Sequence, residues 1–147
     1  MKRLLIFSFL FLQFFCACNN QTENNEPLTS ENDVDAARNF IRNLLDGKLD
    51  DARNMLVEDS LNIQNFETYE RFYKTRMSPA EKRGYRESSI NINSVNQVND
   101  SISVINYSNS FKKQDNTLKV VRMNDDWKVD LKYSFPNTPI DSSANDQ

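Results

Sequence analysis

The hydrophobic period of this chain changes once, near Ser88, from a spacing of three and four to a spacing of two. That switch separates a helical half from a strand half and leaves few ways to pack them. In the first half, Val34, Ala37, Phe40, Ile41, Leu44 and Leu45 form one stripe and predict an amphipathic helix starting at Asp33. Arg38, Asn39, Arg42 and Asn43 fall largely off that stripe. Gly47 supplies the left-handed residue that ends helices. A second helix is expected from about Asp50, with Leu49, Ala52, Leu56 and Val57 inward, so the two form a helical hairpin. A third is expected from about Phe66 to Met77, with Phe66, Tyr69, Tyr73 and Met77 on one face and Phe72 beside it. Glu67 with Arg71, and Glu70 with Lys74, stand four residues apart in the favourable order. Ser78-Pro79-Ala80-Glu81 reads as a capping box with proline at the first helical position. It opens a short helix that Gly84 is expected to stop.

In the second half, Ile90 and Ile92 alternate with asparagines, and Val95 and Val98 then fall out of phase, which predicts a bulge. Asn99-Asp100 marks a turn into a second strand, Ile102 to Phe111. Gln114-Asp115-Asn116 turns into a third, Leu118 to Met123, and Asn124-Asp125-Asp126 into a fourth. In that fourth strand Trp127, Val129, Leu131, Tyr133 and Phe135 are expected on the packed face. Lys128, Asp130, Lys132 and Ser134 are expected on the wet one. Helices followed by a meander imply an α+β domain over residues 33–135, with N-terminal helices packed on a curved four-stranded antiparallel sheet.

The N-terminus has a different character. Met1-Lys2-Arg3 is a short positive segment, and Leu4 to Phe15 is apolar except for Ser8 and Gln13. A run of about a dozen residues is too short to cross a bilayer as a helix, which takes about 20. It has the length of a signal-peptide core, so residues 1–17 are read as a signal peptide. The run closes on Phe15-Cys16-Ala17-Cys18, which resembles a bacterial lipobox with a small residue before the acceptor. That resemblance implies fatty acylation of Cys18, palmitate included, and a lipoprotein of the cell envelope. Asn19 stands where an aspartate would hold such a protein back, so the resemblance points to the outer membrane, facing the periplasm. Residues 18–32 are polar and read as the lipidated cysteine with its flexible tether. Residues 136–147, with two prolines and a Ser/Asn/Asp run, read as a disordered tail.

Composition narrows the function. The full chain carries −3, and loss of Lys2 and Arg3 with the leader takes it to −5, which disfavours nucleic-acid binding. There is no histidine, and both cysteines lie at the leader. The usual base near neutral pH and the best metal ligands are therefore missing, and neither metal nor cofactor is expected. Two glycines cannot build a phosphate-binding loop.

Ala37, Phe40, Leu44 and Gly47, then Leu49, Ala52 and Leu56, then Asp126-Trp127-Lys128-Val129-Asp130 carry a second likeness. Over residues 33–135 the chain resembles uncharacterised bacterial lipoproteins with a nuclear transport factor two-like, or cystatin-like, domain. That family implies a cone-shaped fold that often holds a pocket. The family often has Asp after the glycine, capping the second helix; here Lys48 stands there. The match rests on packing residues and is nearly silent on activity.

Two groups of residues are candidate sites. Tyr69, Tyr73, Tyr107, Trp127 and Tyr133 either line a cone pocket or are plain core. Arg71, Lys74, Arg76, Lys82, Arg83 and Arg86 face a single acid, Glu81, between residues 71 and 86, a net of +5. They suit anionic headgroups or an acidic partner, or else form a solvated face. Asp130 is the natural strand carboxylate, but it is expected on the wet face, where a carboxylate makes a weak base. The reading is a non-catalytic module, membrane-bound through its anchor, that takes an envelope protein or a small ligand. The alternative is a small enzyme using Asp and Tyr groups in the pocket.

Overall fold

The structure is a computed structural model that describes residues 30–134. The leader, Cys18, the tether up to residue 29, Phe135 and the 136–147 tail lie outside the described residues. Four helices precede the sheet: α1 (Asp33–Asp46), α2 (Leu49–Asn54), α3 (Ser60–Thr75) and α4 (Pro79–Arg86). Four strands follow, β1 (Ile90–Asn99), β2 (Ile102–Asn109), β3 (Asn116–Met123) and β4 (Asp126–Asp130), and then a helical turn, α5 (Leu131–Ser134). The sheet order is β1-β2-β3-β4, antiparallel throughout, so the α+β expectation holds.

Helix α1 forms where its apolar spacing and its caps agree. The Asn32 side chain accepts from the Asp35 amide at 2.9 Å, and Asp33 and Asp35 suit the positive end of the helix. Gly47 closes it at φ 76°, a conformation that costs other residues strain. A Cβ on Gly47 would also stand 2.1 Å from the Tyr73 hydroxyl, so the same residue lets α3 approach. Ala36, Ala37, Phe40, Ile41 and Leu45 are buried. The expected stripe shifts slightly: Asn43 is buried, its amide on the Met55 sulfur at 3.6 Å, while Val34 and Leu44 are half-buried. No side chain caps α2; Asp50 and Asp51 in its first turn favour the helix instead. Beyond α2 the chain docks on the sheet edge, with Val57 N–H donating to the Val129 carbonyl and Val129 N–H to that of Met55.

Three of the boundaries that differ from expectation do so where a polar side chain takes over a backbone group. Helix α3 begins at Ser60, not Phe66, because Asp59 caps it by accepting from the Asn62 amide at 2.9 Å. Its first turns lack a regular apolar stripe, and Asn62 is fully buried where a hydrophobe would mark the helix. The fourth strand ends at Asp130, not Phe135. There the Leu131 amide donates to Asn62 Oδ1 at 2.7 Å and the Lys132 amide to Asp130 Oδ1 at 3.2 Å, which turns the chain out of the ladder. Strand β2 stops at Asn109, whose Oδ1 accepts from the amides of Phe111 and Lys112.

Gly84 does not stop α4, which runs on to Arg86. Its lack of a side chain serves a close approach instead: a Cβ there would lie 2.4 Å from the Phe111 ring. The capping box forms as read from the sequence, with the Glu81 amide donating to Ser78 Oγ and the Ser78 amide to Glu81. The bulge forms too, as pairing slips between Ile92 and Ser94 and again between Gln97 and Asn99. Asn124 and Asp125 both adopt positive φ, as the tight β3–β4 hairpin requires.

The helices cover one face of the sheet. Phe40, Ile41, Leu56 and Phe66 pack there on Ile105, Leu118, Val120 and Val129, which neighbour one another across β2, β3 and β4. The Ser103 hydroxyl donates to the Asp33 carboxylate and pins the start of α1 to the sheet.

Candidate functional site

Three of the five candidate aromatics, Tyr69, Tyr73 and Tyr107, gather against one core, while Trp127 and Tyr133 stand apart from them. Tyr69 and Tyr73 lie a turn apart on α3, rings 6.4 Å from each other, and Phe66 is 6.5 Å from Tyr69. Tyr69 places its hydroxyl 3.5 Å from the Leu44 carbonyl. Burial pushes its phenol far above the ordinary tyrosine range, with Tyr85, Tyr107 and Tyr73 adding to the rise. Burial also pushes Tyr107 up to about 12. Tyr73 fills the space beside Gly47 and carries the Lys82 ammonium 4.7 Å from its ring centre. Trp127 sits apart, half-buried and opposite Arg122 near the β3–β4 hairpin. Tyr133, expected on the packed face of a longer strand, is 53% exposed on α5.

Open clefts lie elsewhere. One of about 490 Å³ is lined by residues including Arg53, Leu56, Asp59, Ser60 and Ile63. Another, of about 580 Å³, runs along the start of α3 by Leu61, Gln64 and Glu67. None of the five aromatics lines either cleft. Among the described residues no group of three or more carboxylates or thiols comes together to hold a metal ion. Nor is any described helix long and apolar enough to cross a membrane.

Asp130 corrects the sequence reading. It is 7% exposed rather than solvated, with Lys119 Nζ at 3.3 Å and Lys132 Nζ at 3.8 Å. Lys119 stands directly across from it on β3, a pairing that only the strand register reveals. A carboxylate closed between two ammonium groups holds the β4 end in place, and neither cleft described above is lined by it.

The basic residues behave differently. Arg71, Lys74 and Arg76 occupy the end of α3; Lys82, Arg83 and Arg86 occupy α4, and Lys82 reaching over Tyr73 ties the two helices together. All are exposed except Lys82, which is half-buried. Lys74 pairs with Glu70 at 2.6 Å, as expected. The expected Glu67–Arg71 pair does not form, because Glu67 turns to Arg53 at 3.7 Å. Among the described residues Arg71, Arg76, Lys82, Arg83 and Arg86 make no ion pair. The one acid of the stretch, Glu81, is held by the Ser78 amide and hydroxyl and by Lys112 at 3.4 Å. Lys112 and Lys113, on the β2–β3 turn, extend the cationic face beyond what the run 71–86 contains.

These contacts set an acid limit on the fold. The Ser78 hydrogen bonds, then Lys112, hold Glu81 below the usual carboxylate range. Lys74 and Arg53 do the same for Glu70, and Lys132 with the Asn62 amide for Asp59. A lowered carboxylate pKa contributes stability above the unfolded value, about 4, that is lost as pH falls further. At the alkaline side the hydrogen bond to Asp59 raises Lys132, and burial raises Tyr69 and Tyr107. Stability from raised groups is complete below their unfolded values, about 10, and is lost above them. The urea midpoint should therefore be level between about pH 5 and 10 and drop on both sides. An unchanged midpoint at pH 3 would show that these pairs contribute nothing.

Compared with protein-family models, curated proteins and solved structures, the chain matches none.

Proposed function

We propose that this chain is a lipid-anchored protein of the bacterial cell envelope whose folded domain is a non-catalytic interaction module. The anchor rests on the leader and the Phe15-Cys16-Ala17-Cys18 sequence, with Cys18 the acylated residue and the outer membrane's periplasmic face the expected site. The fold reading is a nuclear transport factor two-like cone, supported by a helical hairpin and two further helices over a four-stranded meander. The observation that carries the interaction reading is the exposed cationic face of α3 and α4, five of whose six candidate residues make no ion pair among the described residues. The tyrosines that would shape a cone pocket are engaged in packing: Tyr73 against Gly47, and Tyr69 against Phe66.

Cells fed radiolabelled palmitate should yield a labelled, membrane-bound wild type. The Cys18→Ala chain should be unlabelled and soluble. A variant that partitions like wild type rejects the anchor. Crosslinking in intact cells should then capture what the basic face meets at the envelope, lipid or protein. Recovery of a small metabolite alone would point to a ligand pocket in the cone.

A further inference from the structure

We infer that the cationic face of α3 and α4 lies on the anionic lipid headgroups of the same bilayer that holds the Cys18 anchor. The inference builds on the lipid-anchor reading and adds an orientation to it. Charge asymmetry is the first argument. The mature chain totals −5 and the stretch 71–86 carries +5, so everything outside that stretch sums to −10. An anionic surface attracts this one face and repels the rest, which selects a single way of sitting.

The chemistry of the face suits a lipid surface better than an acidic protein. Its cations are spread over the end of α3, the outer side of α4 and the β2–β3 turn, and neither of the two clefts described above is lined by them. A protein hot spot needs a defined, desolvated pocket. Headgroups demand only many cations within a Debye length of the surface. Phe72, 50% exposed, lies among the cations of α3, and Phe111, 41% exposed, next to Lys112. Exposed aromatics beside cations are what enters the headgroup boundary.

Geometry permits it. The described chain enters α1 at Asn32, and the basic face lies by the far end of α1, where Gly47 meets Tyr73 beneath Lys82. A helix of 14 residues is about 21 Å long. Thirteen residues lie between Cys18 and Asn32, and the fourteen steps from one to the other reach at most about 50 Å when extended. The anchor can therefore stay in the bilayer while α4 touches it, at a high local concentration of headgroups.

The test uses the whole mature chain with Cys18→Ser, so that no acyl chain contributes. It is spun down with vesicles of phosphatidylcholine alone or with one-third phosphatidylglycerol, at low and high salt. Binding should be at least about tenfold tighter to the anionic vesicles and fade with salt. R83E/R86E should weaken it by about tenfold or more, while R38E/R122E, the same charge change on other exposed arginines, should leave it within about twofold. Matching circular dichroism and thermal melts would show both variants folded. Equal binding to the two vesicles, or equal loss in the two variants, overturns the inference. Capture by poly-glutamate beads but not by the anionic vesicles overturns it in favour of an acidic protein. Palmitate labelling is independent of these readouts, so loss of the anchor reading and loss of the headgroup reading remain distinguishable.

Discussion

Phe40→Ala should lower the unfolding free energy by about 3–5 kcal/mol, the largest loss expected from a single truncation in this domain. Phe40 is fully buried in the layer between α1 and the sheet, among Ile41, Leu56, Ile105, Val120 and Val129. Truncation removes the transfer free energy of the ring and leaves a cavity that helices pinned at both ends cannot close. The pins are Asp33 with Ser103 at one end of α1 and Gly47 with Tyr73 at the other. A domain of this size has about 5–15 kcal/mol of stability in all, so the variant would be close to unfolding at 37 °C. Urea denaturation of wild type and variant measures the difference. A loss under about 1 kcal/mol would mean that Phe40 is not central to the core.

Gly47→Ala should cost about 2–4 kcal/mol, more than a helix-capping glycine ordinarily accounts for. Two effects add. The left-handed backbone at φ 76° strains an alanine by about 1–2 kcal/mol. The new methyl also meets the Tyr73 hydroxyl at 2.1 Å and its ring carbon at 2.8 Å, so Tyr73 must move from beneath Lys82. Gly47→Asn separates them, because asparagine tolerates the left-handed region yet carries the same Cβ. Strain alone would let asparagine recover most of the loss; the clash predicts that it does not. Tyr73→Phe removes the nearer atom, so G47A/Y73F should be less damaging than the sum of its parts. Additive losses would show that the two residues do not press on each other.

Much of this architecture is legible in the sequence because local signals repeat. The stripe from Ala37 to Leu45 is a helix in any context that buries one side. Val95 and Val98 betray the irregularity of β1, because an extra residue flips every later side chain to the other face. Ser78, Pro79 and Glu81 announce a helix start through atoms within four residues of one another.

The misread places share a different character. Asn62 is a polar residue at a fully buried site, satisfied by Asp59 nearby and by the Leu131 amide on α5. Nothing in its neighbourhood announces that second partner, so the true start of α3 and the true end of β4 were both hidden. Gly84 reads as a helix stop until Phe111 is seen against it. Asp130 reads as solvated until the register brings Lys119 across from it. The basic face was legible as a run of cations, since unpaired charge is driven outward wherever the helices pack. Its extension by Lys112 and Lys113 was not, because those come from a turn of the sheet.

By itself, then, the sequence of this protein determined that four helices precede four antiparallel strands, and which side of α1 is buried. These follow from periodicity and capping, whose partners lie within a few residues. Only the tertiary structure decided where α3 and β4 end, which tyrosines pack together, and which carboxylates are paired. Those outcomes depend on atoms tens of residues apart, and no local pattern encodes which distant group will satisfy a buried hydrogen bond or charge.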